Sequence, residues 1–278
     1  MQAKQIVGTD TPRLDGFAKV SGTQQFSSDI SYPNMLWGVV VRSPYAHAKI
    51  VRIDTSEAEN MGAVVLTNKD TNPCLYNERS VSVPNATYRD RQLLPADKVR
   101  HFGEPVLAVA HETEALAHKA ARLVRIAYEE LPFVLDAKEA MKDGAPQLFD
   151  KIFLGDEEVT VHNNKGVIRN IDEGDVDGGL KKADKIYEGR YTLHRVYHNQ
   201  LETKGAVCKP EPDGSMTVWC TTQSIHGTRS LIAKLLGLPF SKVNIKKVTL
   251  GGGFGSSIQM NTVIPICAAL AKKARRPV

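Results

Sequence analysis

Residues 251–255 read Gly-Gly-Gly-Phe-Gly, and this run limits the fold more than any other stretch of the chain. Three consecutive glycines cost backbone entropy on folding. The run follows Lys242–Leu250, which reads as a strand, and precedes an apolar stretch over Asn261–Ala274, which reads as a helix. A strand–glycine loop–helix unit belongs to an α/β layer. Glycines at such a junction let backbone approach another group closely, or let amide hydrogens point at an anion. A flexible turn is the bland alternative. The run is not a dinucleotide fingerprint, which needs G-x-G-x-x-G early in a βαβ unit and an acidic residue about 20 positions on. It is not a phosphate loop of the Walker type either, because no Gly-Lys-Ser/Thr follows.

The rest of the chain supports a mixed α/β (α+β) reading in two domains. Met35–Arg42, Ala63–Thr67 and Pro105–Ala110 are apolar runs of strand length, and Ala48–Asp54 alternates. Ser56 and Glu59 resemble a capping box, with Gly62 closing that short helix. Leu116, Ala120, Leu123 and Ala127 fall on one helical face, with Glu114 near the start and Arg122 and Arg125 near the end. These elements predict one α/β domain over residues 1–135. Residues 136–182 are turn-rich (Asp143-Gly144-Ala145-Pro146, Asn163-Asn164-Lys165-Gly166, Asp172-Glu173-Gly174-Asp175) and read as a connecting segment. Residues 183–278 form the second domain. Its predicted strands are Lys185–Leu193 and Ser215–Thr222, followed by a helix capped by Thr222 or Ser224 and closed by Gly237 and Pro239.

Composition excludes several classes. With 42% hydrophobic and 24% charged residues and a formal charge of +5, the chain is ordinary globular material. The densest basic cluster, Lys272-Lys273-Ala274-Arg275-Arg276, reads as a solvated helix end rather than a nucleic-acid patch. No apolar stretch reaches membrane length, and residues 1–5 lack the core of a signal peptide, so the expectation is a cytoplasmic protein without membrane or nucleic-acid partners. Cys74, Cys208, Cys220 and Cys267 are scattered and form no CxxC, so any iron–sulfur cluster must be carried by another chain. His194, His198 and Glu202 could be imagined around a metal, but a His-bearing strand face is the plainer reading. Gln223, at the end of a strand, offers both a donor and acceptors.

Taken in order, these residues resemble a known family. Asp15-Gly16-Phe17-Ala18-Lys19-Val20-Ser21-Gly22, Asp29-Ile30 and Val41-Arg42-Ser43-Pro44-Tyr45-Ala46-His47-Ala48 are similar to the opening of the hammerhead domain of molybdenum hydroxylases, the xanthine dehydrogenase and aldehyde oxidoreductase family. Gly103-Glu104-Pro105-Val106, Glu114-Ala115-Leu116-Ala117 and Tyr128-Glu129-Glu130-Leu131-Pro132 continue it. Leu201-Glu202-Thr203 resembles the family's Leu-Glu-Pro segment. Thr222-Gln223 and Gly251–Gly255 resemble two loops that hold molybdopterin. The resemblance implies a hammerhead-type α/β domain followed by the beginning of a molybdopterin-binding α/β domain.

It also implies a reaction: an oxygen from water enters an electron-poor carbon of an N-heterocycle or an aldehyde. Electrons leave the molybdenum cofactor through iron–sulfur clusters to FAD, both on partner chains. By resemblance, Gln223 would hydrogen-bond a metal oxo group, and Gly252, Gly253, Phe254 and Gly255 would line the cofactor. Glu202, Ile258 and Gln259 would lie on the substrate side. No protein side chain of this chain would ligate the metal. The family's catalytic glutamate lies beyond residue 278, so no catalytic residue is expected here. A further chain would supply the rest of the domain, and without it the chain would be inactive and would expose apolar faces of its 230–238 and 261–271 helices. Two departures stand out. Relatives continue the glycine loop as Gly-Lys and then Glu or Gln, whereas here Ser256-Ser257-Ile258-Gln259 follows, which puts purine recognition of the usual kind in doubt. The other is length, since the chain stops inside what should be a continuing unit. The alternative function is a non-catalytic fragment or assembly module that keeps the fold without cofactor, and a further one is an unrelated nucleotide binder using the glycine loop.

Overall fold

The computed structural model describes residues 7–81, 88–168, 170–171 and 173–278. In chain order its first elements are α1 (Gly16–Val20), β1 (Trp37–Arg42), β2 (Ala48–Asp54), α2 (Ser56–Asn60), β3 (Val64–Leu66), β4 (Tyr88–Arg89) and β5 (Lys98–Val99). Then come β6 (Pro105–His111), α3 (Glu114–Leu123), β7 (Arg125–Glu130), α4 (Ala137–Ala140), β8 (Lys151–Leu154), β9 (Glu157–Thr160) and α5 (Val176–Lys182). The last are β10 (Ala206–Pro210), β11 (Met216–Cys220), α6 (Ile225–Leu236), β12 (Val243–Lys247) and α7 (Val263–Ala274).

Among the described residues these strands form four three-stranded sheets, in the orders β1-β6-β3, β5-β2-β7, β4-β8-β9 and β10-β11-β12. The central strand β6 is buried along nearly its whole length, as its unbroken apolar run requires. Helix α3 starts at Thr113, whose hydroxyl accepts from the Leu116 N–H at 3.2 Å, and packs Ala117 and Ala120 inward. It stops at Leu123. The helical stripe therefore does not extend to Ala127, which lies in β7 opposite Arg52 of β2. Ile126 and Tyr128 alternate toward a small core with Ala48, Val99 and Val106, and that strand pairing overrides a coincidental i, i+4 spacing. Helix α2 begins after Thr55, not Ser56; Ser56 binds Asp54 through both its N–H and its hydroxyl.

The turn-rich region 136–182 carries the β8–β9 hairpin, which pairs with β4. Asn164 ties its base together by donating to the carbonyls of Ala140 and Pro146 and accepting from the Leu148 N–H. Asp172, in one of the expected turns, lies outside the described residues. Residues 185–193 form no strand, nor do His194 and His198, and this stretch is exposed. Nothing in it pairs, so its β-prone residues find no sheet edge.

In the last third, β11 and β12 run parallel and α6 joins them, while β10 lies antiparallel to β11. Ser224 occupies the N-cap position of α6 without a side-chain cap, and Gly237 closes the helix at φ +62°. Strand β12 ends at Lys247, short of Leu250, and α7 starts at Val263. Pro265 sits in the first turn of α7, where its missing N–H is not needed.

Helix α7 is buried without interruption from Ile264 to Ala271 because it lies between two sheets. One side meets β10 and β11, and the other meets β1, β3 and β6. A single core therefore joins Leu36, Leu66, Ala108 and Ala110 to Ile232, Leu235, Ile264 and Leu270. The helices expected to expose apolar faces are thus covered. The basic cluster is likewise not a free solvated end: Lys273 donates to the Val65 carbonyl at 2.6 Å and pairs with Asp70 at 2.7 Å, and Lys272 donates to the Leu236 carbonyl.

Candidate functional site

The parallel strands β11 and β12 point their carboxyl ends the same way, and ligands of α/β sheets bind outside such ends. A cleft of about 1010 Å³ lies there, between Gln223, Lys247 and Leu250 from the strand ends and Asp15, Lys19 and Gln24 from the N-terminal segment. Thr249 anchors that segment by donating its N–H to the Gln25 carbonyl at 3.0 Å, and Gln24 Nε2 donates to its hydroxyl.

The glycine loop is forced by close approach. A Cβ on Gly251 would stand 2.5 Å from Glu202 Cβ, and one on Gly252 would stand 2.7 Å from Gln200 Cβ. One on Gly253 would stand 2.7 Å from Gln223 Cδ and Oε1. Gly252 and Gly255 also have φ of +110° and +90°. The Ser256 N–H and hydroxyl both donate to the Gly253 carbonyl, and the Ile258 N–H donates to that of Gly255. Between the glycines Phe254 takes φ +46° and is 74% exposed. A non-glycine residue held there costs about 1–3 kcal/mol, and such strain gathers at ligand-contacting loops.

Gln223 is held at both of its ends. Its backbone N–H donates to the Ser257 carbonyl at 2.9 Å, and its Oε1 accepts from the Ser257 N–H at 3.3 Å. With the carbonyl end occupied, the amide Nε2 is the end available to a ligand in the cleft. Ser257 is buried, and its hydroxyl accepts from Lys204 Nζ. Burial pushes the Lys204 ammonium below its ordinary pKa, against the opposing pull of the Glu202 carboxylate.

Glu202 sits on the loop backbone. Its Oε2 accepts from the Gly251 N–H at 2.6 Å, its Oε1 accepts from the Ser27 hydroxyl at 3.4 Å, and its own N–H donates to the Gly251 carbonyl at 3.2 Å. The structure thus brings together Glu202, Gln223 and the glycines. Ile258 and Gln259 lie exposed at the far end of the loop, with no bond to Gln223 among the described contacts. Sequence reasoning missed Gln200, Lys204 and Ser257. Both amide atoms of Gln200 are buried without a partner among the described residues, as is the Thr221 hydroxyl. The proximity of Gln200 to Leu201-Glu202-Thr203 was its only signal. No three His, Cys, Asp or Glu side chains gather as a metal site among the described residues.

This geometry can be set beside known proteins. Residues 159–278 match the model of the molybdopterin cofactor-binding domain, and residues 21–132 match that of the aldehyde oxidase and xanthine dehydrogenase a/b hammerhead domain. The chain belongs to the molybdenum hydroxylase family. Within this family it is 35% identical over 270 residues to a probable xanthine dehydrogenase subunit of Bacillus subtilis, covering 96% of this chain and 33% of that one. It is 31% identical to the nicotinate dehydrogenase large molybdopterin subunit of Eubacterium barkeri, covering 99% of this chain and 60% of that one. The crystal structure of the aldehyde oxidoreductase from Desulfovibrio desulfuricans superposes with a TM-score of 0.82 at 25% identity, covering 98% of this chain and 30% of that one. The chain therefore spans from about a third to three fifths of these proteins. Its mixed α/β architecture is that of the family's hammerhead and molybdopterin-binding domains. Among the described residues, no helix is long and apolar enough to cross a membrane.

Proposed function

We propose that this chain forms the hammerhead domain and the N-terminal part of the molybdopterin-binding domain of a molybdenum-dependent hydroxylase. The enzyme oxidises an N-heterocycle or an aldehyde, takes its oxygen from water and works in the cytoplasm. The reading divides the chain at 1–135, 136–182 and 183–278. Partner chains carry the iron–sulfur clusters and FAD, and a further polypeptide segment completes the active site and brings its general base. The observation that supports it most is Gln223, whose Oε1 is held by the Ser257 N–H while the residue lines the cleft beside a glycine cradle.

The residues present fit a large polar cofactor. The unpartnered amide of Gln200 and hydroxyl of Thr221 are buried polar groups of a kind that normally find a partner. When bound, the molybdenum cofactor supplies the two-electron redox chemistry. This chain's own residues position it. Gln223 would hold the cofactor's polar end by donating a hydrogen bond from Nε2. Gly252, Gly253 and Gly255 let backbone lie against the cofactor, and Phe254 forms an apolar wall. Glu202 fixes the loop by holding the Gly251 N–H. Ile258 and Gln259 face the substrate side.

The test is reconstitution with the iron–sulfur and flavin subunits and the remainder of the molybdopterin subunit, followed by molybdenum analysis and hydroxylase assay. Gln223→Ala should lower turnover by roughly 10²-fold while metal content stays near wild type. Unchanged turnover would remove Gln223 from the site. A complex that binds no molybdenum at all would favour the assembly-module reading.

A further inference from the structure

The start of β10 and the end of β11 both reach the glycine loop through one residue, Ser257. Strand β10 pairs antiparallel with β11, with Ala206 opposite Cys220. Carried two residues further, that register brings Lys204 opposite Thr222, beside Gln223. Ser257 takes contacts from both sides. Its carbonyl accepts from the Gln223 backbone N–H at 2.9 Å, its N–H donates to Gln223 Oε1 at 3.3 Å, and its hydroxyl accepts from Lys204 Nζ. Among the described residues Ser257 makes no other hydrogen bond.

These bonds do unequal work. The bond to Oε1 is longer than the usual N–H···O range. A glutamine carboxamide also turns in a broad well about its last torsion. That bond alone therefore does not fix the carboxamide. The 2.9 Å backbone bond is a single point about which Ser257 can tilt, carrying its N–H with it. A second anchor removes the tilt, and Lys204 supplies it. An ammonium only donates, so the Ser257 oxygen is held as the acceptor. A charged donor also binds more strongly than a neutral one. Ser257 is 2% exposed, so bulk water does not replace that anchor.

Lys204 differs from an ordinary surface lysine. It is partly buried, and that burial pushes its ammonium below the ordinary pKa against the pull of Glu202. Among the described residues it forms no ion pair, because the Glu202 oxygens are occupied by the Ser27 hydroxyl and the Gly251 N–H. A partly desolvated charge with no carboxylate in contact opposes folding. The contact it makes instead leads to Gln223.

We propose that Lys204 is a positioning residue for Gln223. Its ammonium fixes the Ser257 hydroxyl, and Ser257 then holds the Gln223 carboxamide in one orientation at the wall of the cleft. The clamp stands on these contacts; its part in the reaction rests on the function proposed above.

The clamp is tested in the full chain without cofactor, by amide hydrogen exchange at Gln223 and Ser257. Lys204→Met should speed exchange at both by about tenfold or more, while the amides of β10 and β11 keep their rates. Ser257→Ala should give the same acceleration, and the two changes together should add nothing. Lys204→Arg keeps a charged donor and should stay close to the wild-type rate. Should Lys204→Met not fold, Ser257→Ala removes the other end of the same contact and decides the point. Unchanged exchange at Gln223 and Ser257, or faster exchange throughout β10 and β11, overturns the clamp. The part in the reaction is tested in the reconstituted complex. Lys204→Met should lower kcat by about tenfold, with KM and molybdenum content near wild type. In a Gln223→Ala background it should cause no further loss. A full additional loss there overturns positioning through Gln223. A wild-type complex without molybdenum refutes the proposed function and with it this part in the reaction, while exchange in the free chain still decides the clamp.

Discussion

Gly253→Ala isolates the contact between the glycine loop and Gln223. Gly253 does not have positive φ, so alanine brings no backbone strain there. What it brings is one methyl, 2.7 Å from Gln223 Cδ and Oε1 and 2.9 Å from Leu250 Cδ2. The Gln223 carboxamide must swing away, which breaks its 3.3 Å bond from the Ser257 N–H. Ser257 is buried, so its N–H is left without an acceptor, at about 1–3 kcal/mol. In a Gln223→Ala background that bond is already gone and two of the three close contacts vanish, leaving only Leu250. The same substitution should then cost under about 1 kcal/mol, giving a coupling on the order of 1 kcal/mol in a double-mutant cycle. Urea unfolding of the four proteins, wild type, two singles and the double, measures this directly. An equal cost of Gly253→Ala in both backgrounds would show that the loop and Gln223 do not touch as described.

Three further outcomes follow from the packing. Leu270→Ala removes a buried side chain from the helix that lies between two sheets, and should cost about 2–5 kcal/mol in the same assay. For Asp70, burial raises the carboxyl pKa, but the Lys273 ammonium and the Thr67 N–H and hydroxyl outweigh it and hold it below its ordinary value. A depressed folded-state pKa contributes stability above the unfolded pKa that is lost as pH falls through the folded one. Asp70→Asn should therefore flatten the acid side of the stability–pH curve, and an unchanged slope below the ordinary aspartate range would refute the pairing. Trypsin should cut first within 136–182, as at the exposed Lys181 and Lys182, and only later at Lys119 or Arg122 in α3. First cleavage in α3 would count against the proposed division at 136–182.

What the sequence determined by itself was local or strongly periodic. The β6 run, the glycine loop between strand and helix and the Gly237 stop could be read directly, because burial, φ > 0 and capping act on neighbouring residues. Reading failed where a local pattern had two solutions. Leu123 and Ala127 keep helical spacing, yet pairing with β2 made the second of them part of a strand. Residues 185–193 have strand-like composition, yet no edge meets them. The basic residues at the end of α7 looked like a solvated end, and only the packing of α7 against β3 and the turn after it supplied the Val65 carbonyl and Asp70 as partners. The candidate site divides in the same way. Gln223 and the glycines were visible as residue types in order, but the clamps that shape them join Glu202 to Gly251, Lys204 to Ser257 and Gln223 to Ser257. Those pairs are 49, 53 and 34 residues apart. Contacts of that range leave no periodic trace in a single sequence. They exist only because β10, β11 and β12 bring separate segments to one end of a sheet, where a carboxylate can reach a glycine N–H and an amide can be held by a buried serine.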